Sequence, residues 1–194
     1  MMFKKLRKKL DLNWIKKNDV WDIVVYGSYV RGKTDARDID IALILNKITS
    51  VKKKMVLCQE LRAALSDKGY SMDVKAVDIR DLMNVGFLAR EAILAEGRSL
   101  LRKDYLAERF GFKNFAIIEY SLKNLTPAKQ KMFYYALQGR KRGTGILARI
   151  GGRIISKGVL QVPVIHYEEV LNLFKQHGVG NKTIFVLEYG ALNV

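Results

Sequence analysis

The sequence predicts an α/β chain in two parts, an α/β unit over residues 1–113 and a small basic α/β unit over residues 114–194. Three observations predict it. Short β-branched and aromatic runs bounded by turn residues, at 21–26, 38–45, 71–77 and 183–189, read as strands. Helical signals separate them, such as Thr126 as N-cap and Pro127 at the first position of a helix over 128–138 that Gly139 stops. The charge balance also shifts along the chain. Residues 1–113 carry 24 Lys and Arg against 15 Asp and Glu, whereas residues 114–194 carry 11 against 4.

The first strand, Trp21-Asp22-Ile23-Val24-Val25-Tyr26, ends at Gly27-Ser28. Gly27 permits a sharp turn and a close ligand approach. Ser28 is expected at a helix start, where unpaired N–H groups and the positive dipole end favour an anion, with Gly32 ending that short helical turn. Arg31 and Lys33 are expected to meet the outer phosphates of a nucleotide as charge-assisted donors. After a gap of nine residues beyond Ser28 comes Asp38-Ile39-Asp40-Ile41-Ala42-Leu43-Ile44-Leu45. In a strand, residues i and i+2 share a face, so Asp38 and Asp40 point together while Ile39 and Ile41 enter the core. Two adjacent carboxylates repel unless a cation neutralises them. Mg²⁺ suits them, being held by one or two carboxylates together with substrate phosphates.

A third carboxylate would complete a two-ion site with the ions about 3.5–4 Å apart. Asp73, in the strand Ser71-Met72-Asp73-Val74-Lys75-Ala76-Val77, is the best choice and the expected general base or its orienter. Asp78 is weaker, because it falls on the other strand face and borders a helix start.

With these residues placed, residues 20 to 105 resemble a minimal nucleotidyltransferase domain of the DNA polymerase β superfamily. Tyr26-Gly27-Ser28 and Asp38-Ile39-Asp40-Ile41 match its signature in order and spacing. Tyr29-Val30-Arg31-Gly32, Met72-Asp73-Val74 and the segment 93–101 resemble further parts of it. Arg37 departs from the pattern, where such domains often carry serine. The resemblance implies a mixed sheet with flanking helices, and attack of an acceptor hydroxyl on the α-phosphate of a nucleoside triphosphate with release of pyrophosphate. It implies Asp38 and Asp40 on both of two Mg²⁺ ions, Mn²⁺ being an alternative, and Asp73 on one. Gly27 and Ser28 would hold the β- and γ-phosphates. It permits nucleic acid, a protein hydroxyl or a small molecule such as an antibiotic as acceptor.

Composition narrows the rest. Cys58 is the only cysteine, so no intrachain disulfide forms, and a packed core thiol is expected. His166 and His177 have no cysteine partners, which argues against zinc. No apolar stretch reaches the roughly 18 residues of a membrane span. The basic start has no apolar core after it, which argues against a signal peptide. It reads as one amphipathic helix anchored by Phe3, Leu6, Leu10, Leu12 and Ile15. A cytoplasmic location is therefore expected.

The formal net charge is +16. No acidic residue lies between Glu119 and Glu168, and Lys129, Arg140, Lys141, Arg142, Arg149, Arg153 and Lys157 fall in that gap. Such a stretch points to a polyanionic neighbour, nucleic acid above all, with RNA preferred over DNA. Met132-Phe133-Tyr134-Tyr135 is expected in a core rather than as a stacking platform. Residues 105–125 and 167–177 are expected to be helical, and 160–163 extended. Two other readings stay open: a non-catalytic nucleic-acid or ribosome-binding protein on the same fold, and an antitoxin-type nucleotidyltransferase that modifies a protein partner.

Overall fold

A computed structural model describes residues 2–33, 38–66, 70–140 and 144–189. The chain divides into two compact units, Met1–Val30 with Thr34–Phe110, and Arg31–Lys33 with Gly111–Val194. Arg37, Lys141 and Arg142 lie outside the described residues.

The first unit begins with α1 (Met2–Lys8) and α2 (Leu12–Lys17), two helices where one was expected. Asp11 divides them, because its extended backbone N-caps α2 and its carboxylate accepts from the Asn13 N–H at 2.8 Å. Leu6 and Ile15 are buried, as amphipathic packing requires, whereas Leu12 is 67% exposed. Then follow β1 (Val20–Tyr26), β2 (Asp38–Leu45), α3 (Val51–Leu65), β3 (Ser71–Val77), α4 (Ile79–Met83), α5 (Ala89–Glu96), β4 (Arg98–Ser99) and α6 (Leu106–Arg109). The sheet runs β3-β2-β1-β4 and is mixed. β1 is antiparallel to β2 and β4, and β2 is parallel to β3. A parallel pair needs a crossover, and α3 provides it.

Strand alternation gives this sheet two apolar faces. Ile23, Val25, Ile39, Ile41, Leu43, Met72 and Val74 pack with Leu6, Ile15, Leu57, Leu61 and Leu65 on one face. Val24, Tyr26, Ala42, Ile44 and Val77 pack with Ile93 and Leu106 on the other. Cys58 in α3 is partly buried, and its Sγ accepts from the Ala76 N–H at 3.1 Å.

One buried charge in β1 requires a partner. Asp22 is fully buried. It accepts from Ser99 Oγ at 2.8 Å, and Arg109 Nη1 lies 2.5 Å from its Oδ2. Arg109 also grips Asp104 at 2.6 Å and stacks over Trp21 at 5.1 Å from the ring centroid. Removing one partner of a buried pair leaves an uncompensated charge, at a cost of about 3–5 kcal/mol. Arg109→Ala is therefore expected to lower stability by about that amount in a urea titration, and Asp22→Asn by less.

The second unit contains β5 (Phe112–Tyr120), α7 (Pro127–Gln138), α8 (Ile146–Ile150), β6 (Arg153–Ser156), β7 (Val159–Pro163), α9 (Tyr167–His177) and β8 (Asn181–Tyr189). Its sheet, in the order β6-β7-β5-β8, is antiparallel throughout. The expected helix over 105–125 is corrected here: only α6 forms, and the chain then enters β5. Ala116, Ile118 and Tyr120 alternate into the core, a period of 2, and β5 is hydrogen-bonded on both sides by β7 and β8. That pairing overrides the short local helical signal. α7 starts as its cap implied, Thr126 accepting from the Lys129 N–H. The core joins Tyr120, Phe133 and Phe174, whose rings meet edge to face at 5.2–5.4 Å. Among the described residues no helix is long and apolar enough to cross a membrane.

Candidate active site

Three strand ends bring the carboxylates together. Tyr26 at the end of β1 pairs with Asp40, and Asp40 pairs with Asp73 across the parallel β2–β3 ladder. Residues directly paired across adjacent strands point to the same face. Tyr26, Asp40 and Asp73 therefore form one row, with strands roughly 4.8 Å apart. Asp38, two residues before Asp40 and paired with Ser71, stands on the same face at the rim. Ile39 and Ile41 are fully buried on the opposite face, which pins the register. Asp38 is exposed, and Asp40 and Asp73 are half-buried.

Gly27 follows β1 directly, with φ at +77°, a region that favours glycine. A Cβ there would lie 2.4 Å from Asp40 Oδ2, so the missing side chain is what lets the carboxylate sit against the turn. The helix expected from Ser28 is corrected to a series of turns over 28–32, opened by a Val30 N–H to Gly27 carbonyl bond of 3.1 Å. Gly32 at φ +96° interrupts it before a helix could propagate. Any phosphate held beside Ser28 would thus meet turn amides and a hydroxyl, without a helix dipole. Arg31 is engaged within the second unit. Its carbonyl accepts from the Glu168 N–H at 3.2 Å, its Nε is 3.8 Å from Glu168 Oε1, and its guanidinium lies 5.7 Å from the Phe185 ring centre. Lys33 is exposed.

Lys75 is the site residue that motif reasoning passed over. Its Nζ lies 2.7 Å from Asp73 Oδ2. The hydrogen bond to Asp73 raises the ammonium's pKa against the opposing effect of burial, and the charges of Tyr26, Asp73 and Asp40 act in the same sense as that bond. The period-2 rule that linked Asp38 with Asp40 also links Asp73 with Lys75, and was the signal available. Burial pushes the Tyr26 phenol up. Asp78 is fully buried and caps α4 in a capping box with Asp81. Lys54 Nζ lies 2.8 Å away and Arg80 Nη2 3.1 Å. Burial alone would raise its carboxyl, but bonds from Arg80, Lys54 and the Thr49 N–H outweigh burial and hold it well below the carboxylate range. Asp78 is thus a structural group.

The row offers hard oxygen donors only, the chemistry that suits Mg²⁺ or Mn²⁺. Among the described residues no three carboxylate, histidine or cysteine side chains are already gathered closely enough to hold an ion. Asp38, Asp40 and Asp73 fit a divalent ion by shared face and donor type, and Asp73 also carries the ion pair with Lys75.

In the second unit, Lys129, Arg140, Arg149, Arg153 and Lys157 are exposed. Two of them meet acids: Arg149 pairs with Glu169, and Arg153 lies 3.5 Å from Glu188. Phe133 is core, as expected for the 132–135 run, but Met132 is 61% exposed and Tyr134 and Tyr135 lie at the surface. Lys131 and Arg140 each lie 5.7 Å from the Tyr135 ring centre.

The family model for Polymerase beta, Nucleotidyltransferase matches residues 8–106. A toxin–antitoxin crystal structure with AMP-PNP is 25% identical, covering 48% of this chain and 71% of that one, with a TM-score of 0.35. A complex of tri-AMPylated Shewanella oneidensis HEPN toxin with MNT antitoxin is 26% identical, covering 51% and 68%, with a TM-score of 0.32. The MntA–HepT toxin–antitoxin structure is 22% identical, covering 51% and 68%, with a TM-score of 0.31. No curated protein matches the chain.

Proposed function

The chain belongs to the polymerase beta nucleotidyltransferase family, and from that premise we propose that it transfers a nucleoside monophosphate from a nucleoside triphosphate to a hydroxyl of nucleic acid, RNA before DNA, with Mg²⁺. The observation that carries this reading is the in-register pairing of Asp40 with Asp73, with Asp38 on the same face and Gly27 at φ +77° against Asp40. Asp38 and Asp40 are the residues that would hold Mg²⁺, which supplies charge neutralisation for the triphosphate and activates the attacking oxygen. Ser28 and the Gly27 turn hold the β- and γ-phosphates. Asp73 orients the acceptor hydroxyl and takes its proton as the oxygen bonds to the α-phosphorus and pyrophosphate leaves. Acceleration comes from alignment and charge placement rather than a covalent intermediate.

The acceptor is read from the second unit. The acid-free stretch between Glu119 and Glu168 and the exposed Lys129, Arg140 and Lys157 support a polyanion. The test uses α-³²P-labelled nucleoside triphosphates with bulk RNA, DNA and protein, with and without Mg²⁺. Label is expected on RNA, dependent on Mg²⁺, lost in Asp38→Ala and weakened steeply by salt. Label on protein alone would overturn the acceptor assignment. Tight salt-dependent RNA binding with no transfer would overturn the enzyme.

A further inference from the structure

We propose that a basic cavity between α1 and the edge strand β4 is an anion site that takes a phosphate-bearing ligand, on the face of the sheet opposite the carboxylate row. This inference does not depend on the function proposed above. The cavity has a volume of about 310 Å³ and is lined by Phe3, Lys4, Arg7, Arg98, Ser99 and Lys103. That size lies at the small end of the range for ligand cavities. Register sets its side of the sheet. Arg98 pairs with Val25, and paired residues share a face. Val25 belongs to the cluster of Leu6, Ile39 and Ile41, on the face turned away from Asp38 and Asp40.

Four of these six residues are cations and none is an acid. Among the described residues Lys4, Arg7, Arg98 and Lys103 form no ion pair. The acids of the surrounding elements are committed elsewhere. Asp104 is held by Arg109 at 2.6 Å, Glu108 accepts from the Tyr105 N–H at 3.1 Å, and Asp22 is buried against Ser99 and Arg109. Converging like charges repel one another, and a concave wall focuses their field, so the cavity favours an anion. Its walls are built before a ligand arrives. The Arg98 guanidinium lies 4.9 Å from the Phe3 ring centre and 5.8 Å from that of Tyr105, contacts that hold it in place. Ser99 fastens the turn that carries Lys103: its Oγ accepts from the Leu101 N–H at 3.1 Å and the Arg102 N–H at 2.8 Å, and donates to Asp22 Oδ1 at 2.8 Å. Lys103 itself sits at φ +74°, a conformation that only a well-fixed turn sustains in a residue with a side chain. Several cations around one small space match the three oxygens and nearly double charge of a phosphate better than the single charge of a carboxylate. A free oligophosphate and the backbone of a nucleic-acid strand share this chemistry.

Titration calorimetry on the full chain in EDTA tests this, with inorganic pyrophosphate in one arm and a short single-stranded RNA in the other. Arg7→Gln combined with Lys103→Gln removes two of the unpaired charges and is expected to weaken binding at least about tenfold. Arg98→Gln is expected to do the same. Lys16→Gln combined with Lys175→Gln removes the same net charge from exposed positions elsewhere, and is expected to change binding by no more than about twofold. That matched pair separates a built site from the general attraction of a basic protein for anions. A loss in the pyrophosphate arm assigns the cavity to a free oligophosphate, and a loss confined to the RNA arm assigns it to a strand. Circular dichroism checks folding. The Arg7–Lys103 double variant leaves Phe3, Arg98 and Tyr105 in contact, so the test stands if Arg98→Gln misfolds. Equal effects of the cavity pair and the matched pair in both arms, or no binding of either probe by wild type, overturn the proposal.

Discussion

Asp40→Asn is expected to lower nucleotidyl transfer on the order of a thousandfold, the scale seen when a pre-placed electrostatic group is removed from an active site. Asp40 occupies the centre of the row, between Tyr26 and Asp73 and against Gly27. Its loss removes the carboxylate that has Asp38 two residues before it and Asp73 opposite it on the same face. Stability should hardly fall, because the amide is of equal size and the Asp40–Asp73 repulsion is relieved at the same time. Single-turnover transfer with α-labelled nucleotide, alongside a thermal melt, separates the two effects. A variant with more than about a tenth of wild-type rate would remove Asp40 from the chemistry.

Gly27→Ala is the second large effect. The new Cβ meets two penalties at once. Its backbone sits at φ +77°, which costs an L-residue about 1–2 kcal/mol. It would also stand 2.4 Å from Asp40 Oδ2, a distance at which the carboxylate must move. A displacement of about 1 Å in a reacting group costs on the order of a hundredfold in rate. Transfer is therefore expected to fall about a hundredfold with only a modest loss of stability. Because the displaced group is the ion-holding carboxylate, raising Mg²⁺ should recover part of the rate. Ser28→Ala, which leaves backbone and carboxylate in place, should act on the KM for the triphosphate and respond little to Mg²⁺.

Much of this site was legible in the sequence because its decisive contacts are local. Gly27, Ser28, Asp38 and Asp40 lie within fourteen residues, and a period of 2 alone puts the two aspartates on one face. Asp73 was reachable by the same rule, though only the ladder reveals that it stands opposite Asp40 rather than Asp38. Lys75 obeys that rule as well, but a cation is not part of a carboxylate motif, so the motif does not point to it. The turn after Gly27 carries the signals of a helix start in sequence, but Gly32, which reads as a helix end, prevents the helix from forming. Asp22 reads as an odd polar residue in an apolar strand. Its partner Arg109 is 87 residues away, and only folding brings them together. The segment after Phe110 reads as helix in isolation because β5 draws its order from β7 and β8, which come later in the chain. The charge run of the second unit was legible as a run. The engagement of Arg149 by Glu169 and of Arg153 by Glu188 was not, since each pairs across strands or helices.

A crystal structure of the protein with a non-hydrolysable nucleoside triphosphate and Mn²⁺, read through the anomalous signal of the metal, tests the account at its centre. The expected result is a manganese peak bridging the carboxylates of Asp38 and Asp40, with the triphosphate lying along the Gly27–Ser28 turn. A peak remote from both aspartates, or a nucleotide seated away from that turn with the carboxylate row bare, would contradict it.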